Sequence, residues 1–156
     1  MIGGRRGNLA PVTFRATAHV DRLARRAYGF SRVEARKATV LLVDDDDQVR
    51  EALSDDLAAA GYEVAAAATG EEALRRLRAG PRPCALLLDL LMPGMDGAEL
   101  LAKVRSEEGL AGLPIIVLTG LASSKLKGLL GAEAVLVKPF ESAELFREID
   151  RVCGRG

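Results

Sequence analysis

The sequence predicts an α/β fold: a doubly wound, five-stranded parallel sheet with helices on both faces, preceded by a basic N-terminal arm. From Ala38 onward, short apolar runs alternate with helical patterns, as in sheets whose strands are joined by crossover helices. The strongest runs show no polar alternation, which is expected of strands buried on both faces. Hydrophobic residues make up 49% of the chain, enough for a sizeable core.

The first strand, helix and second strand follow in that order. Residues 39–43 are a continuous apolar run stopped by acids, which predicts a buried strand. Apolar residues then recur every four positions from Val49 to Leu57, and Gly61 is a helix stop. Residues 62–66 predict a second strand, although their alanine content makes the signal weak.

A capping box at Thr69 and Glu72 predicts the start of the second helix, because the threonine hydroxyl can accept from a free amide while the glutamate reaches back. The Gly-Pro-Arg-Pro sequence at 80–83 ends that helix. Residues 84–88 then predict the third strand of the chain, the second that is a continuous apolar run, and it ends at Asp89.

Turn residues at 93–97 lead into the next helix, and the rest of the chain continues the alternation. Two further strands are predicted at residues 115–118 and 134–137, with a short helical piece around 124–130 between them. Ser142 is the expected N-cap of the last helix. The predicted apolar positions of these helices are Leu100, Leu101, Val104, Leu145, Ile149 and Val152.

The zero net charge of the chain hides a split between residues 1–37, which carry +7, and the rest, which carries −7. This predicts a basic arm at 1–37 and a globular domain at 38–154. The arm is interpreted as a disordered tail, an amphipathic helix, or a segment that docks on an acidic partner or nucleic acid. It shows no helix-turn-helix pattern and no aromatic stacking platform, so we expect no sequence-specific DNA binding. Its His19, the one histidine, is interpreted as a surface residue.

Cysteine usage and hydropathy indicate a cytoplasmic location. Two cysteines are too few for a disulfide scaffold and fit a reducing compartment. We expect Cys84 to be a small buried hydrophobic residue and Cys153 to be an incidental thiol. The longest uncharged stretch has 16 residues, which is too short and too polar to cross a bilayer, so no membrane association is expected. An apolar signal-peptide segment is missing from the first 37 residues.

Polar residues follow the four strong strands: the acidic run at 44–47, then Asp89, Thr119 and Lys138. The carboxyl ends of parallel strands open onto one crevice, where ligands of such sheets bind. Carboxylates without histidine or cysteine suit Mg²⁺. The set predicts a phosphoryl-transfer site in which Asp89 is the nucleophile and forms an acyl phosphate. Thr119 and Lys138 then neutralise charge on the transferring group.

These motifs resemble the receiver domain of two-component response regulators over about Thr39 to Val152. The matching segments are Val43-Asp44-Asp45, the run from Leu88 to Gly97, Val117-Leu118-Thr119-Gly120 and Val137-Lys138-Pro139-Phe140. The resemblance implies a flavodoxin-like sheet of order 2-1-3-4-5.

The resemblance also implies roles for the site residues. Asp89 becomes the phosphoacceptor for a histidine kinase or a histidine phosphotransfer protein. Asp45 and Asp89 bind Mg²⁺ directly, Asp44 binds it through water, and the Leu91 backbone carbonyl completes the protein ligands. Phosphoryl contacts are assigned to Thr119 and Lys138, and the Lys138–Pro139 bond is expected to be cis.

Only 18 residues follow Lys138, so we expect a stand-alone receiver that signals through contact with an unknown downstream protein. It is not expected to be an enzyme beyond its own phosphorylation and dephosphorylation. The chain departs from its relatives in carrying Val135 where receivers often have an aromatic residue, and in a short segment between Thr119 and Gly131. Leu91 and Leu121 flank the expected phosphoryl position, and we expect them to hinder attacking water.

Two alternatives belong to other functional classes. A haloacid-dehalogenase-type phosphatase also begins with a strand followed by Asp-x-Asp, here Asp44 and Asp46. That fold needs further acids after its lysine, and none follows Lys138 at a strand end. The second alternative is a binding module that keeps the scaffold and works without phosphorylation.

Overall fold

The computed structural model describes residues 37–121, 128 and 131–154. The chain divides into two units, Met1–Arg36 and Lys37–Gly156, and all described residues belong to the second. The interpretations of the N-terminal arm therefore lie outside the described residues, apart from Lys37. The helical piece expected around 124–130 lies outside them too, except for Gly128, which is helical.

The second unit alternates strands and helices along its described length. The strands are β1 Thr39–Val43, β2 Glu63–Ala67, β3 Ala85–Asp89, β4 Ile115–Thr119 and β5 Ala134–Val137. The helices are α1 Asp47–Ala59, α2 Gly70–Ala79, α3 Gly97–Ser106 and α4 Ser142–Cys153. The weak alanine-rich strand is thus present, shifted by one residue from its predicted start.

The five strands form one parallel sheet in the order β2-β1-β3-β4-β5. This confirms the predicted fold class and the strand order that the resemblance implied. Strand β3 is central and pairs with β1 on one side and β4 on the other, with Val43 opposite Leu88 and Asp89 opposite Leu118. Because all strands run the same way, their carboxyl ends lie at a single edge of the sheet.

Alternate residues of each central strand pack into separate cores on the two faces of the sheet. Leu86 and Leu88 of β3 join the core that contains the buried residues of α2 and α3. Leu87, which lies between them, joins the core under α1 and α4. Both cores are lined almost entirely by aliphatic side chains, and their buried members are typically less than about 7% exposed.

Local capping signals were predictable at some helix ends and misleading at one. The capping box is confirmed: the Thr69 side chain accepts from the Glu72 amide at 3.1 Å, and Glu72 accepts from the Ala68 amide at 3.0 Å. The Ser142 prediction was wrong. Helix α4 has Glu141 at its N-cap without a side-chain hydrogen bond, because the Ser142 hydroxyl bonds the Asp56 carboxylate at 3.3 Å instead.

The interpretation of the two cysteines was also wrong. Cys84 lies one residue before β3, Cys153 is the last residue of α4, and the two are joined in a disulfide with 5.2 Å between their Cα atoms. Both side chains are half-buried against the core under α1 and α4. Docking of α4 on the sheet brings them together, and this contact could not be seen in their spacing of 69 residues.

Within the described residues, no helix combines the length and the apolar character needed to cross a membrane.

Candidate magnesium and phosphoacceptor site

Four of the five strands deliver a polar residue to the carboxyl edge of the sheet. Asp44 follows β1 directly, Asp89 and Thr119 are the last residues of β3 and β4, and Lys138 follows β5 directly. Asp44, Asp89 and Thr119 are the buried polar or charged residues of the described chain, with 0%, 8% and 0% exposure. The strand ends thus place three otherwise costly buried polar groups at one edge.

The Lys138 ammonium is the cation that joins two of the strand ends. Its Nζ lies 3.5 Å from Asp44 Oδ2 and 3.5 Å from Asp89 Oδ2. The Lys138 backbone amide donates to the Thr119 carbonyl oxygen at 2.8 Å, which holds the Lys138 backbone beside the end of β4. The Lys138–Pro139 peptide bond is cis, as expected. The lysine side chain is one-third exposed, so an incoming group can reach it.

Three carboxylates lie close together at this edge of the sheet. Asp44, Asp45 and Asp89 each offer an oxygen, and these atoms lie within 4.8 Å of one another. Burial raises the pKa of Asp44 above its ordinary value of 3.8. The Asp46 amide and Lys138 oppose that rise, while Asp89 adds to it. The charged form of Asp44 is therefore incompletely compensated by the protein alone.

The donor set fits Mg²⁺. Hard divalent cations take carboxylate oxygens, and Mg²⁺ commonly uses one or two carboxylates with waters and phosphate oxygens. Asp45 is exposed beside the buried Asp44 and Asp89, so the cluster of acids is open to solvent on one side. Within the described part of the chain, these acids are the one group of three or more potential metal ligands so closely spaced.

Asp89 is held at its place by the backbone around it. The Leu91 amide donates to Asp89 Oδ1 at 3.1 Å, and the Gly97 amide donates to the Leu90 carbonyl at 3.0 Å. A Cβ on Gly97 would lie 2.3 Å from the Asp89 carbonyl oxygen. Only glycine therefore allows α3 to begin this close to the end of β3. Gly97 was predicted only as a turn residue, and its contact with the Asp89 backbone was not predicted.

Thr119, Leu91 and Leu121 lie close to Asp89 in the sequence of strand ends and loops at this edge. The Thr119 hydroxyl accepts from the Leu121 amide at 3.1 Å, an interaction that orients the hydroxyl at the end of β4. The side chains of Leu91 and Leu121 are 61% and 50% exposed. Large exposed apolar residues thus lie two positions after Asp89 and two positions after Thr119. The role predicted for the Leu91 carbonyl stays a prediction.

The remaining acids of the 44–47 run lie at the start of the next helix. Asp46 is the N-cap of α1 and accepts from the Gln48 and Val49 amides. Asp47 lies in the first turn and pairs with Arg50, whose guanidinium also donates to the Asp44 carbonyl at 2.8 Å. Asp46 is not among the acids that could share a metal.

Comparison with known proteins gives a consistent result. The family model for the response regulator receiver domain matches residues 40–150. A probable transcriptional regulator, ycf27 of Porphyridium aerugineum, is 39% identical over 123 residues, which are 77% of this chain and 50% of that protein. The chain spans about half the length of the curated relatives it matches.

Solved structures match this chain over all or nearly all of their own length. A putative response regulator from Chloroflexus aurantiacus is 44% identical with a TM-score of 0.71, covering 77% of this chain and all of that one. The receiver domain of a sensor histidine kinase from Pseudomonas aeruginosa is 31% identical with a TM-score of 0.70. That match covers 76% of this chain and 98% of that chain, whose structure has a magnesium ion in its active-site cleft.

Proposed function

The chain belongs to the family of response regulator receiver domains of two-component signalling, and from this premise we propose that Asp89 accepts a phosphoryl group with the help of Mg²⁺. The observation that carries the proposal is the position of the Lys138 ammonium, 3.5 Å from both Asp44 and Asp89. A charged amine touching the acceptor carboxylate from a neighbouring strand end supports phosphoryl transfer better than it supports a structural role.

In the proposed reaction, a carboxylate oxygen of Asp89 attacks the phosphorus of a phosphohistidine on a histidine kinase or phosphotransfer protein. The P–O bond to Asp89 forms as the P–N bond to the donor imidazole breaks, and the imidazole leaves. A carboxylate nucleophile needs no general base. Lys138 and the Thr119 hydroxyl then compensate charge on the phosphoryl oxygens.

Asp44, Asp45 and Asp89 are the residues that we propose to hold Mg²⁺, with the Leu91 carbonyl as a further ligand. When bound, the ion neutralises the charge that the acceptor and the phosphoryl group bring together. The incompletely compensated charge on buried Asp44 is the feature of this chain that favours a cation here. Magnesium in the cleft of the Pseudomonas aeruginosa receiver is consistent with that assignment.

We propose that the phosphorylated receiver signals from the cytoplasm through contacts with another protein. Phosphorylation brings nearly two negative charges to Asp89, and these attract Lys138 and Thr119 at the ends of β5 and β4. Stand-alone action and the lack of external enzymatic turnover remain predictions. The ycf27 relative is named a transcriptional regulator. This chain matches only half of it, so that name does not support DNA binding by the receiver.

This chain has a valine, Val135, at the position where receivers often have the aromatic residue that responds to phosphorylation. Val135 lies three residues before Lys138 and is half-buried against the core under α2 and α3. A small branched side chain in that core cannot swing between an exposed and a buried position as a tyrosine can. We therefore propose that the response is carried by the Lys138 and Thr119 positions themselves.

The test is phosphorylation by a small-molecule donor. The full chain is incubated with acetyl phosphate and Mg²⁺, and intact mass is expected to rise by one phosphoryl group. Asp89→Asn is expected to show no gain, while the matched control Asp96→Asn, which keeps an N-cap on α3, is expected to gain it like the wild type.

Two outcomes would contradict the proposal. Phosphorylation of Asp89→Asn at the wild-type extent would place the acceptor elsewhere. No mass gain in the wild type, with retained binding to a partner, would favour the binding module that works without phosphorylation. Turnover of a generic phosphomonoester in the same samples would refute the statement that the protein acts only on itself.

A further inference from the structure

The two cysteines of the chain join the last helix to the central strand. Cys84 immediately precedes β3, and its amide donates to the Thr39 carbonyl at 2.8 Å, which fixes it beside the start of β1. Cys153 ends α4, and the left-handed Gly154 follows as the helix C-cap. The side chains are bonded to each other, with Cα atoms 5.2 Å apart.

Contacts other than the disulfide already hold the two partners in place. Helix α4 buries Leu145 and Ile149 completely against the sheet. In its last turns, Asp150 accepts from the Tyr62 hydroxyl, and the Arg151 guanidinium donates to the Glu133 carbonyl at 3.2 Å. The end of α4 is thus fixed by packing and hydrogen bonds on both sides.

The geometry at the two cysteines fits a disulfide. A Cα separation of 5.2 Å lies inside the range of roughly 4.4–6.8 Å that disulfides require. Both cysteines are half-buried and not enclosed in the core, and we expect a small oxidant or reductant to reach them in the folded domain. They are also the two cysteines of the whole sequence, which leaves no competing intramolecular pairing.

We propose that Cys84 and Cys153 form a reversible redox modification site that locks α4 onto the sheet. With hydrogen peroxide as oxidant, the two thiols lose two electrons and two protons, the S–S bond forms, the O–O bond breaks, and two molecules of water leave. A small dithiol reverses the reaction by exchange and is itself oxidised to its disulfide.

Oxidation stabilises the domain without touching the proposed phosphoacceptor. The bond closes a loop of 69 residues and so removes freedom from the unfolded chain. Cys84 precedes β3 and Asp89 ends it, so a rise of about 3.3 Å per residue separates them by roughly 16 Å. The proposal is therefore independent of phosphoryl transfer.

The test compares oxidised and reduced full-length protein. After treatment with hydrogen peroxide, the monomer is expected to take up no iodoacetamide, whereas reduced protein is expected to take up two equivalents on denaturation. The melting temperature is expected to be on the order of 10 °C higher in the oxidised protein, and dithiothreitol is expected to reverse the shift.

Cys153→Ser is the main control, because its half-buried position at a helix end tolerates a hydroxyl, and Cys84→Ser is the second. Each is expected to melt at one temperature, that of the reduced wild type, under both conditions. Two reactive thiols after oxidation, crosslinking only between molecules, or equal melting temperatures for oxidised and reduced wild type would overturn the proposal.

Discussion

Replacing Asp44 by asparagine is expected to stabilise the metal-free protein and to remove its stabilisation by Mg²⁺. Burial raises the pKa of this carboxyl above 3.8, against the opposing effects of the Asp46 amide and Lys138. A carboxyl whose pKa is raised by folding is less stable as a charge in the folded state than in the unfolded chain. At neutral pH, Asp44 therefore lowers the free energy of unfolding relative to a neutral side chain.

The distances at the site indicate the size of the effect. Lys138 at 3.5 Å attracts Asp44 by about 5 kcal/mol at an effective dielectric constant of 20. Asp45 and Asp89 each offer an oxygen within 4.8 Å, and each repels Asp44 by about 3 kcal/mol or more on the same scale. Asp45 is exposed, so solvent weakens its share. The attraction by Lys138 and the repulsion by the two acids nearly cancel, so the cost of burying the Asp44 charge remains. Asparagine is therefore expected to raise the free energy of unfolding by about 1–2 kcal/mol.

The assay is thermal unfolding followed by circular dichroism, since the chain has no tryptophan. Without Mg²⁺, Asp44→Asn is expected to melt roughly 5 °C above the wild type. Mg²⁺ at ten times its dissociation constant stabilises the wild type by about 1.4 kcal/mol and the variant by much less. Asp96→Asn, which removes an acid outside the cluster and keeps a capping residue, is expected to follow the wild type.

The pH dependence checks the same reasoning. In the metal-free wild type, the unfavourable contribution of Asp44 is absent below 3.8, where the carboxyl is protonated in both states, and grows as pH rises through the raised folded pKa. The advantage of the asparagine variant is therefore expected to shrink on acidification. A variant that melts below the wild type without Mg²⁺, yet gains as much from Mg²⁺, would refute the argument.

Three further predictions concern neighbouring features. Gly97→Ala is expected to lose about 2–4 kcal/mol in chemical denaturation, because its methyl group would lie 2.3 Å from the Asp89 carbonyl oxygen. Glu72→Gln is expected to lose about 0.5–1 kcal/mol at neutral pH. The Ala68 amide lowers the pKa of Glu72 below 4.5, so this loss is present above 4.5 and disappears as pH falls through the folded pKa. Leu91→Asn is expected to speed loss of the phosphoryl group several-fold in a mass time course, because an amide can hold water where an exposed leucine excludes it.

Each of these has an outcome that contradicts it. Wild-type stability of Gly97→Ala would mean that α3 can move away from the acceptor strand at little cost. A stability difference for Glu72→Gln that persists at low pH would assign the effect to packing instead of charge. Equal hydrolysis rates in Leu91→Asn and wild type would show that this leucine does not control access of water.

Much of the fold and site was predictable because it depends on local sequence. Buried parallel strands need continuous apolar runs, and the residue after such a run lies at the ligand-binding edge whatever the rest of the chain does. Asp44, Asp89 and Lys138 could therefore be placed together from three separate segments. The capping box at Thr69 was predictable for the same reason, since all its partners lie within four residues.

The errors and omissions depend on tertiary contacts. Ser142 has the chemistry of an N-cap, but its hydroxyl donates a hydrogen bond to Asp56 of α1 instead. The partner of Cys153 lies 69 residues away, beside a strand that only the docked helix reaches. The need for glycine at 97 arises from the approach of α3 to the Asp89 backbone. None of these contacts has a signal in the spacing of the residues involved.

Asp89 lies at the end of the central strand of the sheet, and this position influences which parts of the sheet can move. Strand β3 is bonded along both sides, whereas β5 has four residues and pairs with β4 alone. Amide hydrogens are therefore expected to exchange more slowly in β3 than in β5. A structural change that begins at Asp89 is therefore expected to displace the outer strand β5, which Lys138 follows, more than β3 itself.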